Sequence, residues 1–281
     1  MYRAPITRLN KAAFVILIDR SGSMAEEVTF EGRLCTKAEA TAEAVNTLLE
    51  EIINRSYRDR FIGDYFDVAI IGYGGEGVES LLGSGFKPIT FVDSMYIPSR
   101  TKIVRHTLPS GRRCDTVVET RQWLEPQASG QTPMGKAFAK AYRMVASWCR
   151  KHPNSFPPIV INITDGEATD VSAEKIRALA EQIKSTSTND GGTLLMNIHL
   201  ASQHDSEFRP LRFPAEGSQL PINRHSRLLY DISSTLPPIY NSSIEPSHNE
   251  EPPFRAICYN APIDDILGLL VIGSLSINQL F

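Results

Sequence analysis

Asp19, Ser21 and Ser23 sit where an apolar run ends, in the stretch Phe14–Glu27, FVILIDRSGSMAEE. Far along the chain Asp165 closes a second apolar run, in PPIVINITDGE, and Thr132 stands before a long helical pattern. Together they offer two carboxylates and three hydroxyls, with no histidine or cysteine. Hard cations take oxygen ligands of this kind, and octahedral oxygen coordination points to Mg²⁺ or Mn²⁺. Hydroxyls are neutral, so the two carboxylates must balance the ion. Where Asp19 and Asp165 act through water or outer hydrogen bonds, the ion keeps surplus positive charge. An open coordination position then draws in a carboxylate from outside.

Each of these residues also has a plainer use. Asp and Ser are favoured N-caps, so Asp19, Ser21 and Ser23 also fit an ordinary strand-to-helix turn. Thr132-Pro133 fits a helix start with proline at the first helical position. Gly22 and Gly166 fit tight turns. The metal reading rests on all five oxygen-bearing residues having matching settings, and on no one of them alone.

Those settings come from the elements. Ala12–Ile18, Phe66–Gly74 and Ile159–Thr164 are continuous apolar runs, the mark of strands covered on both faces. Thr193–Ala201 and Arg255–Ala261 read as further strands, and GVESLLG after Gly74 as a hairpin partner. Apolar residues recur at helical spacing in Thr36–Arg55, Gly135–His152 and Ser172–Ser185, the last with Ser172 as N-cap. Ser226–Leu236 suits a shorter helix, and a terminal helix is expected after Asp264-Asp265. From Phe86 to Glu125 the pattern loosens into short strand-like and loop pieces.

Strands alternating with helices imply crossover units and a mostly parallel sheet with helices on both faces. The expectation is a doubly wound α/β domain over residues 1–281, with excursions at about 28–36, 86–125 and 205–253. In such sheets ligands bind outside the carboxyl ends of the strands, near the switch in strand order. Asp19 and Asp165 both belong there.

Composition bounds the rest. The chain has 281 residues, 42% hydrophobic and 22% charged, with net charge -3, which gives no global field for nucleic acid or an acidic membrane. Cys35, Cys114, Cys149 and Cys258 form no CxxC pair and read as buried thiols of a reducing compartment. MYRAPITRLN lacks the apolar segment of a secretory signal. ILGLLVIG near the end is far shorter than the roughly 20 residues that span a bilayer. A cytoplasmic protein without nucleic-acid or membrane partners is expected.

DRSGSM at Asp19–Met24, GQTPMGKAF around Thr132 and ITDGE at Ile163–Glu167 resemble the three parts of the metal-ion-dependent adhesion site of von Willebrand factor type A domains. The resemblance covers Ala12–Ala201 well and the terminal strand and helix loosely. It implies direct metal binding by Ser21, Ser23 and Thr132, with Asp19 and Asp165 holding the ion mainly through water. More narrowly, the chain is similar to bacterial intracellular members of that family, including those associated with tellurium resistance and encoded beside kinases, phosphatases or ATPases. It departs from the minimal pattern in FEGRLC, Phe30–Cys35, and in the excursion 86–125.

The resemblance implies a non-enzymatic, Mg²⁺-dependent interaction module that docks a partner's Asp or Glu, as an adaptor in a stress, signalling or defence complex. The alternative is a phosphohydrolase of the haloacid dehalogenase type with Asp19 as nucleophile. Such sites carry a second Asp two residues on as acid/base, and here that residue is Ser21. No P-loop or G-x-S-x-G elbow is present. A third possibility is a structural subunit whose metal only braces the fold.

Arg100, Lys102, Arg105, Arg112, Arg113 and Arg121 make one excursion basic, either as a solvated loop or as a dock for an acidic partner. His199 reads as a core or edge histidine. The sequons at Asn54 and Asn162 are discounted, the second because it falls in a buried strand.

Overall fold

The computed structural model describes residues 1–58, 60–75, 77–107, 113–200, 210–216, 218, 224–244 and 251–261. The expected terminal helix lies outside the described residues.

The centre is built from the apolar runs. β1 (Ala12–Asp19) is buried at every position. Its side chains alternate between two cores, as strand geometry requires. Phe14, Ile16 and Ile18 face one core, Ala13, Val15 and Leu17 the other. After β1 come a short hairpin, β2 (Glu27–Phe30) and β3 (Arg33–Thr36), and then α1 (Lys37–Ser56). Glu31 and Gly32 make the hairpin turn with φ of 49° and 76°, the paired positive φ of a tight two-residue turn.

β4 (Phe66–Gly74) follows, then β5 (Gly77–Ser80), which returns antiparallel as the sequence suggests. α2 (Ile89–Ser94) leads into the long strands β6 (Ile97–Thr107) and β7 (Arg113–Gln122). The chain continues through α3 (Met134–Lys151), β8 (Ile159–Thr164), α4 (Ala173–Ser185) and β9 (Leu194–Leu200). It ends, among the described residues, with β10 (Leu211–Arg212), α5 (Arg224–Ile232) and β11 (Ile257–Ala261).

The main sheet runs β10-β11-β9-β8-β1-β4-β5. Its five inner strands, from β11 to β4, are parallel to one another, and the edge strands β10 and β5 are antiparallel. α1 covers the Phe14 face, and α3, α4 and α5 cover the Val15 face. This is the doubly wound, Rossmann-like α/β architecture. The chain goes from β1 outward to β4, then crosses back to β8 on the other side of β1. The strand order therefore reverses at β1, and the crevice falls at the carboxyl ends of β1 and β8.

The excursion 86–125 differs from expectation. In place of short pieces it holds β6 and β7 as one long antiparallel ribbon that pairs only with itself. A ribbon outside the main sheet needs no run of core residues, so no apolar signature marks it. Arg121 is not a free cation there: it pairs with Asp93 at 2.8 Å and lies over the Tyr96 ring. Arg100, Lys102, Arg105 and Arg113 belong to the same ribbon, and Arg112 lies outside the described residues. α5 ends four residues before the expected Leu236, and Pro133 is the N-cap of α3 instead of its first helical residue.

Helix ends follow local chemistry. Ser172 caps α4, its side chain accepting from the Lys175 N–H. Thr36 and Glu39 form a capping box at α1, with bonds of 3.1 Å to Thr36 Oγ1 and 2.8 Å to Glu39 Oε2. Thr36→Ala is expected to cost about 1 kcal/mol in a urea unfolding experiment.

Candidate metal centre

The structure brings all five oxygen-bearing residues to the crevice. Asp19 ends β1 and is fully buried. Its Oδ1 accepts the Ser21 N–H at 2.9 Å, and its Oδ2 accepts the Thr164 hydroxyl at 2.7 Å. The Ser21 and Ser23 hydroxyls lie 3.2 Å apart, and Ser23 donates to Asp165 Oδ1 at 2.7 Å. Ser21 occupies the N-cap position of a short 3₁₀ turn, Gly22–Ala25, yet makes no side-chain cap bond. The capping reading therefore does not describe these serines. Their hydroxyls point at each other and at the second carboxylate.

Thr132 joins the cluster from the loop before α3. A Cβ built on Gly166 would sit 3.9 Å from Thr132 Oγ1 and 4.0 Å from Ser23 Oγ, so Gly166 leaves open the space between the hydroxyls. Thr132 is 6% exposed.

The loops are tied to one another. Thr132 N–H donates to Thr169 Oγ1 at 3.0 Å, and Thr169 N–H donates to the Thr132 carbonyl at 3.0 Å. Asp170 accepts the Gly135 and Lys136 N–H groups at 3.0 and 2.9 Å, placing a carboxylate on the start of α3. Gly22 N–H donates to the Gly130 carbonyl at 3.0 Å. Gly130 has φ of 65°, and a Cβ there would stand 2.5 Å from Gly75 Cα, so only glycine fits.

Electrostatics set the two carboxylates apart. Burial pushes the Asp19 carboxyl up to about 6, against the hydrogen bonds that favour its charged form, and nearby Asp165 adds to the rise. Asp19 has no cationic partner among the described residues. Asp165 does: Lys37 Nζ donates to its Oδ2 at 3.0 Å, with both side chains only 1% exposed. Lys37 also binds Glu26 Oε2 at 2.7 Å.

These residues fit a divalent cation by their donor chemistry. Hydroxyl and carboxylate oxygens converge, and one buried carboxylate lacks a counter-charge among the described residues. No group of three or more His, Cys, Asp or Glu side chains that could hold a metal is found among the described residues, so any site here must use the hydroxyls. A phosphohydrolase finds no acid/base at position 21, where a serine hydroxyl lies 3.2 Å from that of Ser23.

Sequence reasoning missed Thr164, Thr169, Asp170, Glu26 and Lys37. One signal was present for Lys37. A cation in the first turn of a helix opposes the macrodipole, so it asks for another reason to be there.

Other groups stand apart from the centre. His199 is buried, stacks on Tyr259 with centroids 4.3 Å apart, and is pushed down to about 3, chiefly by burial. It is a neutral core histidine, as expected. Asn162 is fully buried and links Tyr73 to Asn197 beneath the strands, at 2.8 and 3.0 Å. Cys35, Cys149 and Cys258 are buried. A cleft of about 680 Å³, lined by Phe86, Lys140, Arg143, Trp148 and His152, includes none of the five oxygen-bearing residues. No helix among the described residues is long and apolar enough to cross a membrane.

Neither a protein-family model nor a curated protein matches this chain. Among solved structures, it is similar to a von Willebrand factor type A protein from Catenulispora acidiphila, at 19% identity and a TM-score of 0.37. That match covers 67% of this chain and 33% of the other, so this chain spans about a third of that protein's length. It is also similar to the vWF domain of the type V pili tip protein Mfa5 from Porphyromonas gingivalis, at 12% identity and a TM-score of 0.35, covering 58% of this chain and 42% of that one. A membrane spanning protein from Vibrio fischeri matches at 12% identity and a TM-score of 0.28, over 79% of this chain and 86% of the other. The fold assignment rests on strand order and register: a doubly wound sheet with an all-oxygen cluster at its switch point.

Proposed function

We propose that Ser21, Ser23, Thr132, Asp19 and Asp165 hold Mg²⁺ or Mn²⁺, as in the adhesion site of von Willebrand factor type A domains. The chain then acts as a non-enzymatic interaction module in which a partner's Asp or Glu completes the metal's coordination. The observation that carries this reading is Asp19: a fully buried carboxylate, without a cationic partner among the described residues, facing a set of hydroxyls. An adaptor role in a complex with a kinase, phosphatase or ATPase follows from the family resemblance. The neutral hydroxyls support the docking step, because they leave an ion short of negative charge.

Two measurements test this. Mg²⁺ at a hundredfold excess over its dissociation constant is expected to stabilise the protein by about 2.7 kcal/mol over the chelated form. With Mn²⁺ bound, an Asp-containing peptide is expected to displace metal-bound water and lower the proton relaxation rate. A protein whose unfolding ignores both ions has no such site. A loaded protein indifferent to carboxylates is braced by its metal and does not dock through it.

A further inference from the structure

We propose that Lys37 is a resident counter-cation of the metal centre, one that weakens its hold on the ion and strengthens its attraction for a partner's carboxylate. This rests on the metal reading of the same site. Lys37 is among the most deeply buried side chains, at 1% exposure, although lysine is almost never fully buried unless paired. Its ammonium bridges Asp165 Oδ2 and Glu26 Oε2, at 3.0 and 2.7 Å. Asp165 thus divides its two oxygens, one accepting from Ser23 and one from Lys37.

The β2–β3 hairpin fixes this arrangement. Glu26 precedes one leg and Lys37 follows the other, and Lys37 N–H donates to the Glu26 carbonyl at 3.0 Å. The segment that departs from the minimal family pattern therefore ends on an acid–base pair facing the site. Lys37 also opens α1, against the helix dipole, so neither helix formation nor solvation accounts for its place.

The charge count gives the consequence. Asp19, Asp165 and Glu26 carry three negative charges and Lys37 one positive, and because the ammonium holds Glu26 and one oxygen of Asp165, a divalent ion among the hydroxyls keeps positive charge that is not matched locally. Without Lys37 the same carboxylates would over-neutralise the ion and repel an incoming acid. With it, Asp165 is partly spent on the ammonium, and the bound ion keeps more of its pull on an external carboxylate.

The test is Mn²⁺ affinity, read by electron paramagnetic resonance, together with binding of an Asp-containing peptide to the Mn²⁺-loaded protein. Lys37→Met is expected to bind Mn²⁺ about tenfold more tightly, the scale of one nearby unit charge, and to bind the peptide about tenfold more weakly. Glu26→Gln keeps the ammonium and removes its other partner. It is expected to weaken Mn²⁺ binding several-fold, and it lies at the rim, so it serves if Lys37→Met fails to fold. Unchanged or weaker Mn²⁺ binding by a folded Lys37→Met, or unchanged binding by Glu26→Gln, overturns the role of Lys37. If the unsubstituted protein binds no Mn²⁺, it is the metal reading that fails.

Discussion

Asp19→Asn is expected to abolish divalent-cation binding and, in metal-free protein, to raise stability at neutral pH. The two effects share one cause. Burial lifts the Asp19 carboxyl from 3.8 to about 6, so ionising it inside the fold is unfavourable. A shift of that size corresponds to about 3 kcal/mol at pH above 6. The sign follows from proton counts: between pH 4 and 6 the folded state holds a proton that the unfolded state has released. Stability contributed by this group is therefore complete below about pH 4 and lost as pH rises through 6. Asparagine never ionises and escapes that loss. It keeps one acceptor but gives up a hydrogen bond, which costs about 1 kcal/mol.

The net expectation is a gain of about 2 kcal/mol at pH 7.5 in chelator, absent at pH 4. His199 works in the opposite sense, since it must be neutral in the fold and its contribution falls away below about pH 6.5. The difference between the two proteins cancels that background. Urea unfolding at several pH values, paired with Mn²⁺ titration, reads both effects. A variant that still binds Mn²⁺ removes Asp19 from the site, and one less stable at pH 7.5 contradicts the burial argument.

Asp165→Ala is expected to do the reverse to stability. It strips the buried Lys37 ammonium of its inner partner and Ser23 of its acceptor. Breaking a buried pair commonly costs 3–5 kcal/mol, and Glu26 remains, so about 3 kcal/mol is expected here. Metal binding should be lost as well. Lys37→Met placed in the same protein should recover about 2 kcal/mol, because the stranded charge is then gone. A double-mutant cycle in chelator checks this; additive effects would show that the two side chains do not depend on each other. Two carboxylates of one cluster thus differ in sign: removing one charge stabilises the metal-free fold and removing the other destabilises it.

Legibility followed burial. The strands under both helical layers were visible because each must be apolar at every position, and the amphipathic helices because one stripe must be. The β6–β7 ribbon was not, since it pairs only with itself and needs no core pattern. At the site, D-x-S-x-S, Thr132 and Asp165 were found by their settings at element ends, where a parallel sheet gathers distant residues. Thr164 was overlooked because it reads as one more strand residue; its hydroxyl matters only once β8 lies beside β1 and meets Asp19 Oδ2.

Element types, the doubly wound plan and the candidate set of five oxygen-bearing residues are legible in the chain, because periodicity and strand-end position are local properties. Which of those oxygens gains a counter-charge depends on the folded packing. Asp19 is left without a counter-ion by its depth, while Asp165 is given one by a lysine that a hairpin folds inward. Both outcomes depend on burial and on contacts across 128 and 145 positions of the chain, between Lys37 and Asp165 and between Asp19 and Thr164. No local pattern encodes them.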